Sequence, residues 1–131
     1  MIINLTQHPA TPEQAAAGVV DLQGDSLLAL KHALTFDTIP TRKDVQDRAH
    51  YITRLAFLNG LGGDLDDDPM PTRAMIGGAP FLMSALESAL MDECISPLYA
   101  FSVRDSVEIT QPNGSVVKTN VFNHAGFVPA I

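Results

Sequence analysis

The sequence predicts an α/β fold: a mainly parallel sheet flanked by helices, with a C-terminal antiparallel β-hairpin. Up to residue 103, short apolar runs alternate with amphipathic segments, and such alternation favours a parallel sheet with right-handed crossovers. Beyond that point, two alternating runs are joined by Pro112-Asn113-Gly114, a strong hairpin signal. The length of 131 residues and the hydrophobic content of 46% indicate one domain, residues 1–131, with a substantial core.

The first elements follow from local chemistry. The apolar run at residues 1–5 predicts a strand, since it is short and rich in β-branched side chains. A short helix follows, because Thr11 is a good N-cap, Pro12 suits the first helical position, and Gln14 completes a capping box. The run at residues 19–22 predicts a second strand.

The central elements show clearer periodicity. Apolar residues at helical spacing predict helices over residues 25–34, 41–60 and 80–93. A strand that begins at Arg73 ends in a glycine pair, and the apolar run at residues 97–103 predicts a fourth strand. The hairpin is expected to extend this sheet with its own antiparallel strands.

Composition excludes several functional classes. The 15 acidic and 8 basic residues give a net charge of −7, which argues against a basic face for long nucleic acid but leaves room for a small anionic ligand. The single cysteine, Cys94, excludes an intramolecular disulfide and is expected to be a small buried residue. We see no signal peptide and no apolar run near the roughly 18 residues of a membrane span, so we expect a cytoplasmic protein without membrane contact.

Three polar stretches are expected to meet at one sheet edge, since ligands of open α/β sheets bind outside the carboxyl ends of the strands. They are the residues 6–8, 77–80 and 102–104. The glycine pair is either a tight turn or, together with the helix start behind it, a loop that faces an anion such as phosphate. The candidate ligand-binding residues are Asn4, Thr6, Gln7, Gly77, Gly78, Ala79, Pro80, Ser102, Arg104, Glu108 and Lys118, although Lys118 is most simply a solvent-facing strand residue.

Two sets of ionisable residues keep alternative interpretations. Arg104 and Glu108 form either a surface ion pair, worth about 0–1 kcal/mol, or a phosphate contact in which the glutamate orients the arginine. His8 and His124 each lie near a strand end; taken singly they are expected to have structural roles, but if those ends converge, one of them is a candidate general acid or base. The other two histidines, in predicted helices, are expected at the surface.

No metal or cofactor is expected. The acidic stretch at residues 64–68 suggests a calcium loop, but Pro69 and Met75 stand where an EF-hand needs glycine and glutamate. The glycines before it lack the lysine of a P-loop, and no serine-hydrolase elbow occurs. A solvated acidic loop is the simpler interpretation.

Both ends of the chain show a resemblance. "TQHPATPEQ" resembles the "SHxLTxEQ" opening of a small stand-alone CRISPR-associated Rossmann-fold (CARF-type) family, with Gln7 in the place of its serine. The ending is similar to that family's R-x-x-x-E, Gly-Ser-Val turn and V-F-x-H-x-x-F pattern. The matching positions, about a third of the chain with their surroundings, are His8, Thr11, Glu13, Gln14, Arg104, Glu108, Gly114, Ser115, Val116, Val121, Phe122, His124 and Phe127.

The resemblance implies a Rossmann-like homodimer that binds cyclic oligoadenylate, either as a sequestering sponge or as a metal-independent ring nuclease in phage–host defence or counter-defence. The glycine pair would hold a phosphate and Arg104 would neutralise it, while Asn4 and Gln7 could recognise a base or ribose. His8 or His124 would assist proton transfer. The alternative is a non-catalytic inhibitor that binds a protein partner through the acidic residues 64–68.

Overall fold

The computed structural model describes residues 1–60 and 72–130, which form a mixed α/β structure around one five-stranded sheet. The elements, in chain order, are β1 (Ile2–Asn4), α1 (Pro12–Ala16), β2 (Val19–Asp21), α2 (Gly24–Leu34), α3 (Arg42–Gly60), β3 (Arg73–Ile76), α4 (Pro80–Asp92), β4 (Ser96–Thr110) and β5 (Val116–Pro129). Each helix and strand expected from the sequence up to residue 96 is confirmed, with small shifts at the ends.

The sheet has the strand order β2-β1-β3-β4-β5. The first four strands are parallel to their neighbours, and β5 pairs antiparallel with β4. From β1 the chain moves outward to β2 and then returns past β1 to β3, so the direction of winding reverses between β1 and β3. The predicted class, mostly parallel with an antiparallel C-terminal pair, is confirmed.

The two faces of the sheet are covered unequally. One face packs against α2, α3 and α4 in the main core, to which the strands contribute Ile3, Leu5, Ala74 and Ile76. The other face carries a small cluster of Ile2, Val19, Met75 and Leu98, covered by Ala10 and Phe127. Because both faces of β1 and β3 are buried, these strands are continuous apolar runs in the sequence.

The helix cap predicted at Thr11 is present, and α3 begins with a cap of the same kind. In α1, the Thr11 hydroxyl accepts the Gln14 N–H at 3.2 Å, and the Gln14 side-chain oxygen accepts the Thr11 N–H at 3.0 Å. In α3, Thr41 and Asp44 exchange the same pair of bonds at 3.1 and 2.9 Å. By contrast, α4 follows Ala79, which provides no side-chain cap. None of the helices in residues 1–60 and 72–130 is both long enough and apolar enough to cross a membrane.

The C-terminal strands differ from expectation. The predicted fourth strand, residues 97–103, and the first hairpin strand are a single strand, Ser96–Thr110. No turn residue separates the two parts, so the pairing with β5 continues from Leu98 to Thr110, with one register shift between Phe101 and Ser102. Beyond that shift the two strands leave the body of the protein as a two-stranded ribbon.

Cys94 also differs from expectation, since its side chain is exposed rather than buried. α4 ends at Asp92, and the chain turns back towards β4 through a left-handed backbone conformation at Cys94, with a φ of 59°. The Cys94 N–H caps the helix by donating to the Met91 carbonyl at 3.0 Å. The turn directs the side chain to solvent, whereas the next residue, Ile95, enters the core.

Candidate functional site

A cavity of about 470 Å³ lies at the carboxyl edge of the sheet, where the winding reverses between β1 and β3. This is the position at which open α/β sheets bind ligands, and the volume suits a small organic ligand. Its walls come from the segments after β1 and β3, from α1 and from β4. The lining residues are Thr6, Gln7, His8, Pro9, Thr11, Gln14, Met75, Ile76, Gly77, Gly78, Tyr99 and Ala100.

The segment after β1 is held by the buried amide of Asn4, which is 3% exposed. Its nitrogen donates to the His8 carbonyl at 2.8 Å and to an Asp21 carboxylate oxygen at 2.7 Å. Its oxygen accepts the backbone N–H of Thr6 at 2.9 Å and the Thr6 hydroxyl at 2.7 Å. Asn4 therefore shapes this loop through its hydrogen bonds, and the ligand contact expected of it from the sequence stays a prediction.

A second cavity of about 210 Å³ lies on the other side of the same segment. It is lined by Asn4, Thr6, Gln7, His8, Pro9, Asp21, Leu22, Leu27 and Lys31. Residues 6–9 thus form a wall shared by both cavities. Lys31, in the last turn of α2, is the one lysine or arginine among the lining residues of the two cavities.

The glycine pair forms the opposite wall of the larger cavity. Gly78 has a φ of +146°, which disfavours any residue with a Cβ atom. A Cβ atom at Gly77 would lie 3.6 Å from the Thr6 methyl group, so the two walls approach closely here. Ala79 and Pro80 start α4 just beyond, but neither lines the cavity. The expected convergence of residues 6–8 with Gly77 and Gly78 is therefore observed.

Tyr99 closes the β4 side of the larger cavity, and the sequence analysis missed it. Its hydroxyl donates to the Glu87 carboxylate of α4 at 2.5 Å. Partial burial, then the bond and the negative charge of Glu87, raise the pKa of Tyr99 to about 12. The phenol is therefore neutral at physiological pH. Its bond to Glu87 holds this wall of the cavity in place, and Tyr99 does not act as a base.

The ribbon residues predicted for the site lie outside both cavities. Ser102 is opposite His124, Arg104 opposite Phe122, and Glu108 opposite Lys118. Arg104 is four residues beyond Ala100, about 13 Å along the strand. Glu108 is a further ~13 Å away on the same face, so it cannot orient Arg104 as proposed from the sequence.

The two candidate histidines do not share a cavity. His8 is exposed and lines both cavities. His124 lies on β5, where its ring packs against Phe127 with centroids 4.8 Å apart, and its buried Nδ1 has no hydrogen-bond partner among the described residues. An acid–base pair within one protomer is therefore not formed, and His8 is the candidate that remains at the site. As expected from the sequence, His32 and His50 are exposed on α2 and α3.

Within residues 1–60 and 72–130, no group of three or more His, Cys, Asp or Glu side chains is arranged to hold a metal ion. The acidic residues 64–68, on which the calcium interpretation and the inhibitor alternative both depend, lie outside the described residues. The chemistry available at the cavity is thus hydrogen bonding by Thr6, Gln7 and His8, backbone contact at the glycines and apolar contact with Tyr99 and Ala100.

Comparison with known proteins gives one match that spans nearly the whole chain. A family model described as the Uncharacterized protein MJ1673 family matches residues 1–128. The chain belongs to this family. The residues that match the MJ1673 family model include both walls of the cavity and the ribbon. No curated protein and no solved structure matches the chain.

Proposed function

We propose that this MJ1673-family protein binds a small nucleotide, of the cyclic oligonucleotide class, with a Rossmann-like (CARF-type) arrangement of its sheet. The observation that carries the proposal is the 470 Å³ cavity at the point where the sheet reverses its winding. Parallel sheets of this kind place glycine-rich turns and polar strand ends around nucleotide ligands at that point. The resemblance of both chain ends to CARF-type proteins supports the same ligand class.

Each wall of the cavity has a distinct role in this proposal. Gly77 and Gly78 allow a phosphate to approach the backbone, and the positive end of α4 behind them favours a negative charge. Gln7 offers a donor and an acceptor to a base or ribose, and Thr6 offers an acceptor, because its hydroxyl proton is donated to Asn4. Tyr99 provides an apolar wall for the base, since its hydroxyl is already bonded to Glu87.

In this proposal Lys31 neutralises a further phosphate of the ligand, one that lies in the smaller cavity on the other side of residues 6–9 from the glycine pair. Lys31 lines the smaller cavity, whose wall of residues 6–9 also lines the larger one. Arg104 would reach only a ligand that extends about 13 Å along β4 from Ala100, which suits a large cyclic ligand better than a mononucleotide. The site has few cationic side chains, as expected for an acidic protein that contacts phosphate through single side chains.

Sequestration of the ligand and its cleavage are the two forms that this function can take in phage–host defence or counter-defence. In cleavage, the ribose 2′-oxygen attacks the adjacent phosphorus and the 5′-oxygen leaves, giving a 2′,3′-cyclic phosphate and a 5′-hydroxyl. His8 would accept the 2′-proton and return a proton to the leaving oxygen, while the walls hold the attacking oxygen in line. A sponge needs only the binding step.

Isothermal titration calorimetry with a panel of cyclic mono-, di- and oligonucleotides tests the binding. We expect heat with at least one member and, for Lys31→Ala, affinity about tenfold weaker, the equivalent of ~1.4 kcal/mol. Lys43→Ala is the matched control, since Lys43 is an exposed lysine paired with Asp47 on α3. Absence of heat with every nucleotide, or equal affinity for both variants and wild type, contradicts the proposal.

Chromatography of the bound nucleotide after incubation separates the two forms. Intact ligand indicates a sponge, and a 2′,3′-cyclic phosphate product indicates a ring nuclease. If product forms, we expect His8→Ala to slow its formation by about 10²–10⁴-fold, the usual contribution of an acid–base group. His32→Ala, an exposed histidine on α2, should cleave like wild type.

A further inference from the structure

A further cavity, of about 360 Å³, lies between α3 and α4, and we call it the interhelical cavity. Its volume is within the range of small-molecule sites. The residues of α4 that line it are at the C-terminal end of this helix, whereas the glycine pair of the nucleotide cavity precedes the N-terminal end. From Pro80 to Asp92 the helix rises about 18 Å, so the two sites are separate.

Two helix ends form the walls of the interhelical cavity. Four side chains of α3, spaced so that they share one face of the helix, form the first wall. They are His50, Thr53, Arg54 and Phe57. This wall is about 10 Å long, since seven residues of a helix rise that far. The facing wall consists of Ala89, Asp92 and Glu93.

Opposite charges line this cavity without pairing. Arg54 contributes a guanidinium from α3, and Asp92 and Glu93 contribute carboxylates from the end of α4. Within residues 1–60 and 72–130, none of these three side chains forms an ion pair or a hydrogen bond, and the ion pair on α3 joins Lys43 to Asp47 instead. The opposite charges are therefore further apart than the ~4 Å of an ion pair, and both are available to a ligand.

The end of α4 favours a cation for a second reason. The last carbonyl groups of a helix carry a partial negative charge, which cations stabilise. The last turn of α4 contains no basic residue, and Asp92 and Glu93 add two negative charges there. This arrangement is unfavourable for the helix alone, so a cationic group bound in the cavity would offset it.

A buried hydroxyl at the first wall has no partner. Thr53 is 3% exposed, and its Oγ1 makes no hydrogen bond with any of the described residues. A threonine inside a helix can donate to the carbonyl four residues earlier, but Thr53 does not. Leaving a buried polar group unsatisfied is costly. Because Thr53 lines the cavity next to Arg54, a ligand acceptor bound there would supply the missing partner.

We propose that the interhelical cavity binds a free α-amino acid with an apolar side chain. The ligand carboxylate meets Arg54, whose planar guanidinium suits bidentate contact, and accepts the Thr53 hydroxyl. The ligand ammonium group meets Asp92 and Glu93 on the opposite wall. Phe57, which is 44% exposed, offers apolar surface to the ligand side chain. An anion without an ammonium group would be repelled by the two carboxylates, and a cation without a carboxylate would be repelled by Arg54.

An NMR titration of the ¹⁵N-labelled full chain, without nucleotide, tests the proposal with L-leucine, L-methionine and L-phenylalanine as probes. We expect saturable shifts with at least one probe at the amides of Thr53, Arg54 and Glu93, while those of Gly77 and Gly78 stay unchanged. The corresponding amine and acid, which for leucine are isopentylamine and isocaproate, each lack one charge and should bind at least about tenfold more weakly. No saturable shift with any of the three amino acids, or equal binding of the singly charged compounds, overturns the proposal.

Charge-removing variants locate the contacts. Arg54→Ala should weaken amino-acid binding by roughly 10–100-fold, because it removes charge-assisted hydrogen bonds. Arg42→Ala is the matched control, since Arg42 is an exposed arginine of the same helix that does not line the cavity. It should bind like wild type. Equal affinity of Arg54→Ala and wild type overturns the proposal. Arg54→Ala should bind nucleotide normally, so the amino-acid site and the nucleotide site can fail independently.

Discussion

Replacement of Asn4 by alanine perturbs the loop that forms the wall between the two cavities. The Asn4 side chain is 3% exposed and makes four hydrogen bonds, to His8, to Asp21 and two to Thr6. Asn4→Ala removes all four and leaves the backbone N–H of Thr6 without its partner, while the His8 carbonyl keeps only the 3.1 Å bond from the Thr6 hydroxyl. The Asp21 carboxylate keeps only its bonds from the Ala10 N–H, at 3.0 and 3.3 Å.

The expected cost follows from these bonds. A neutral hydrogen bond contributes about 1 kcal/mol net, and a bond to a charged group about 1.5–3 kcal/mol. The four bonds form one network and do not add fully, so we expect Asn4→Ala to lower the free energy of unfolding by about 3 kcal/mol. For a domain of this size, that corresponds to a decrease in Tm of roughly 10 °C.

Thermal unfolding followed by circular dichroism measures the effect. Asn59→Ala is the control, because Asn59 is an exposed asparagine whose amide bonds to the Leu55 carbonyl on its own helix, and we expect a change within about 0.5 kcal/mol. The same Asn4 variant should bind nucleotide more weakly, since residues 6–8 lose their anchor. A Tm of Asn4→Ala within about 2 °C of wild type, well below the decrease worked out above, would refute the role given to Asn4.

Three further substitutions test the fold and the cavity walls. Thr11→Ala breaks the capping box with Gln14 and should lower the free energy of unfolding, measured with urea, by about 0.5–1 kcal/mol. This is the low end of the range for cap substitutions, because α1 buries no side chain. A loss above ~2 kcal/mol would contradict this prediction. Leu86→Ala removes a fully buried side chain and should lower the free energy of unfolding by about 2–5 kcal/mol in the same assay. Little change, which would mean that the core repacks around the smaller side chain, would contradict this prediction. Partial burial, then the bond and the charge of Glu87, raise the pKa of Tyr99 from 10.0 to about 12, so the protonated phenol contributes stability below pH 10 that is lost as the pH rises towards 12. Tyr99→Phe should flatten this part of the Tm–pH curve, and an unchanged slope would contradict the assignment.

The order of elements and the position of the cavity could be predicted because they depend on local signals. The capping box at residues 11–14 and the apolar run of β1 are visible in the sequence itself. Together they place residues 6–8 in the segment between β1 and α1. The rule that ligands lie at the carboxyl ends of parallel strands then brings this segment to the glycine pair. In the structure, residues 6–8 and the glycine pair line the same cavity, as predicted.

The roles of individual polar side chains could not be predicted, because they depend on contacts between distant parts of the chain. Asn4 bonds to Asp21, which follows 17 residues later, and this pairing requires the parallel register of β1 and β2. Lys31 reaches the site only through the packing of α2, and no motif marks it. The sequence places Arg104 at the cavity edge because the fourth strand is expected to end at residue 103, whereas β4 continues and carries Arg104 outwards.

An NMR titration of the ¹⁵N-labelled protein with cyclic tetra-adenylate, or with the cyclic nucleotide that gives heat in calorimetry, tests the central claim directly. The claim is that the nucleotide occupies the cavity between residues 6–9 and the glycine pair. We predict saturable shifts at Thr6, His8, Gly77 and Gly78, with those of α3 unchanged. Shifts confined to α3 or to the ribbon, with the amides of these four residues unmoved at saturation, would contradict the claim.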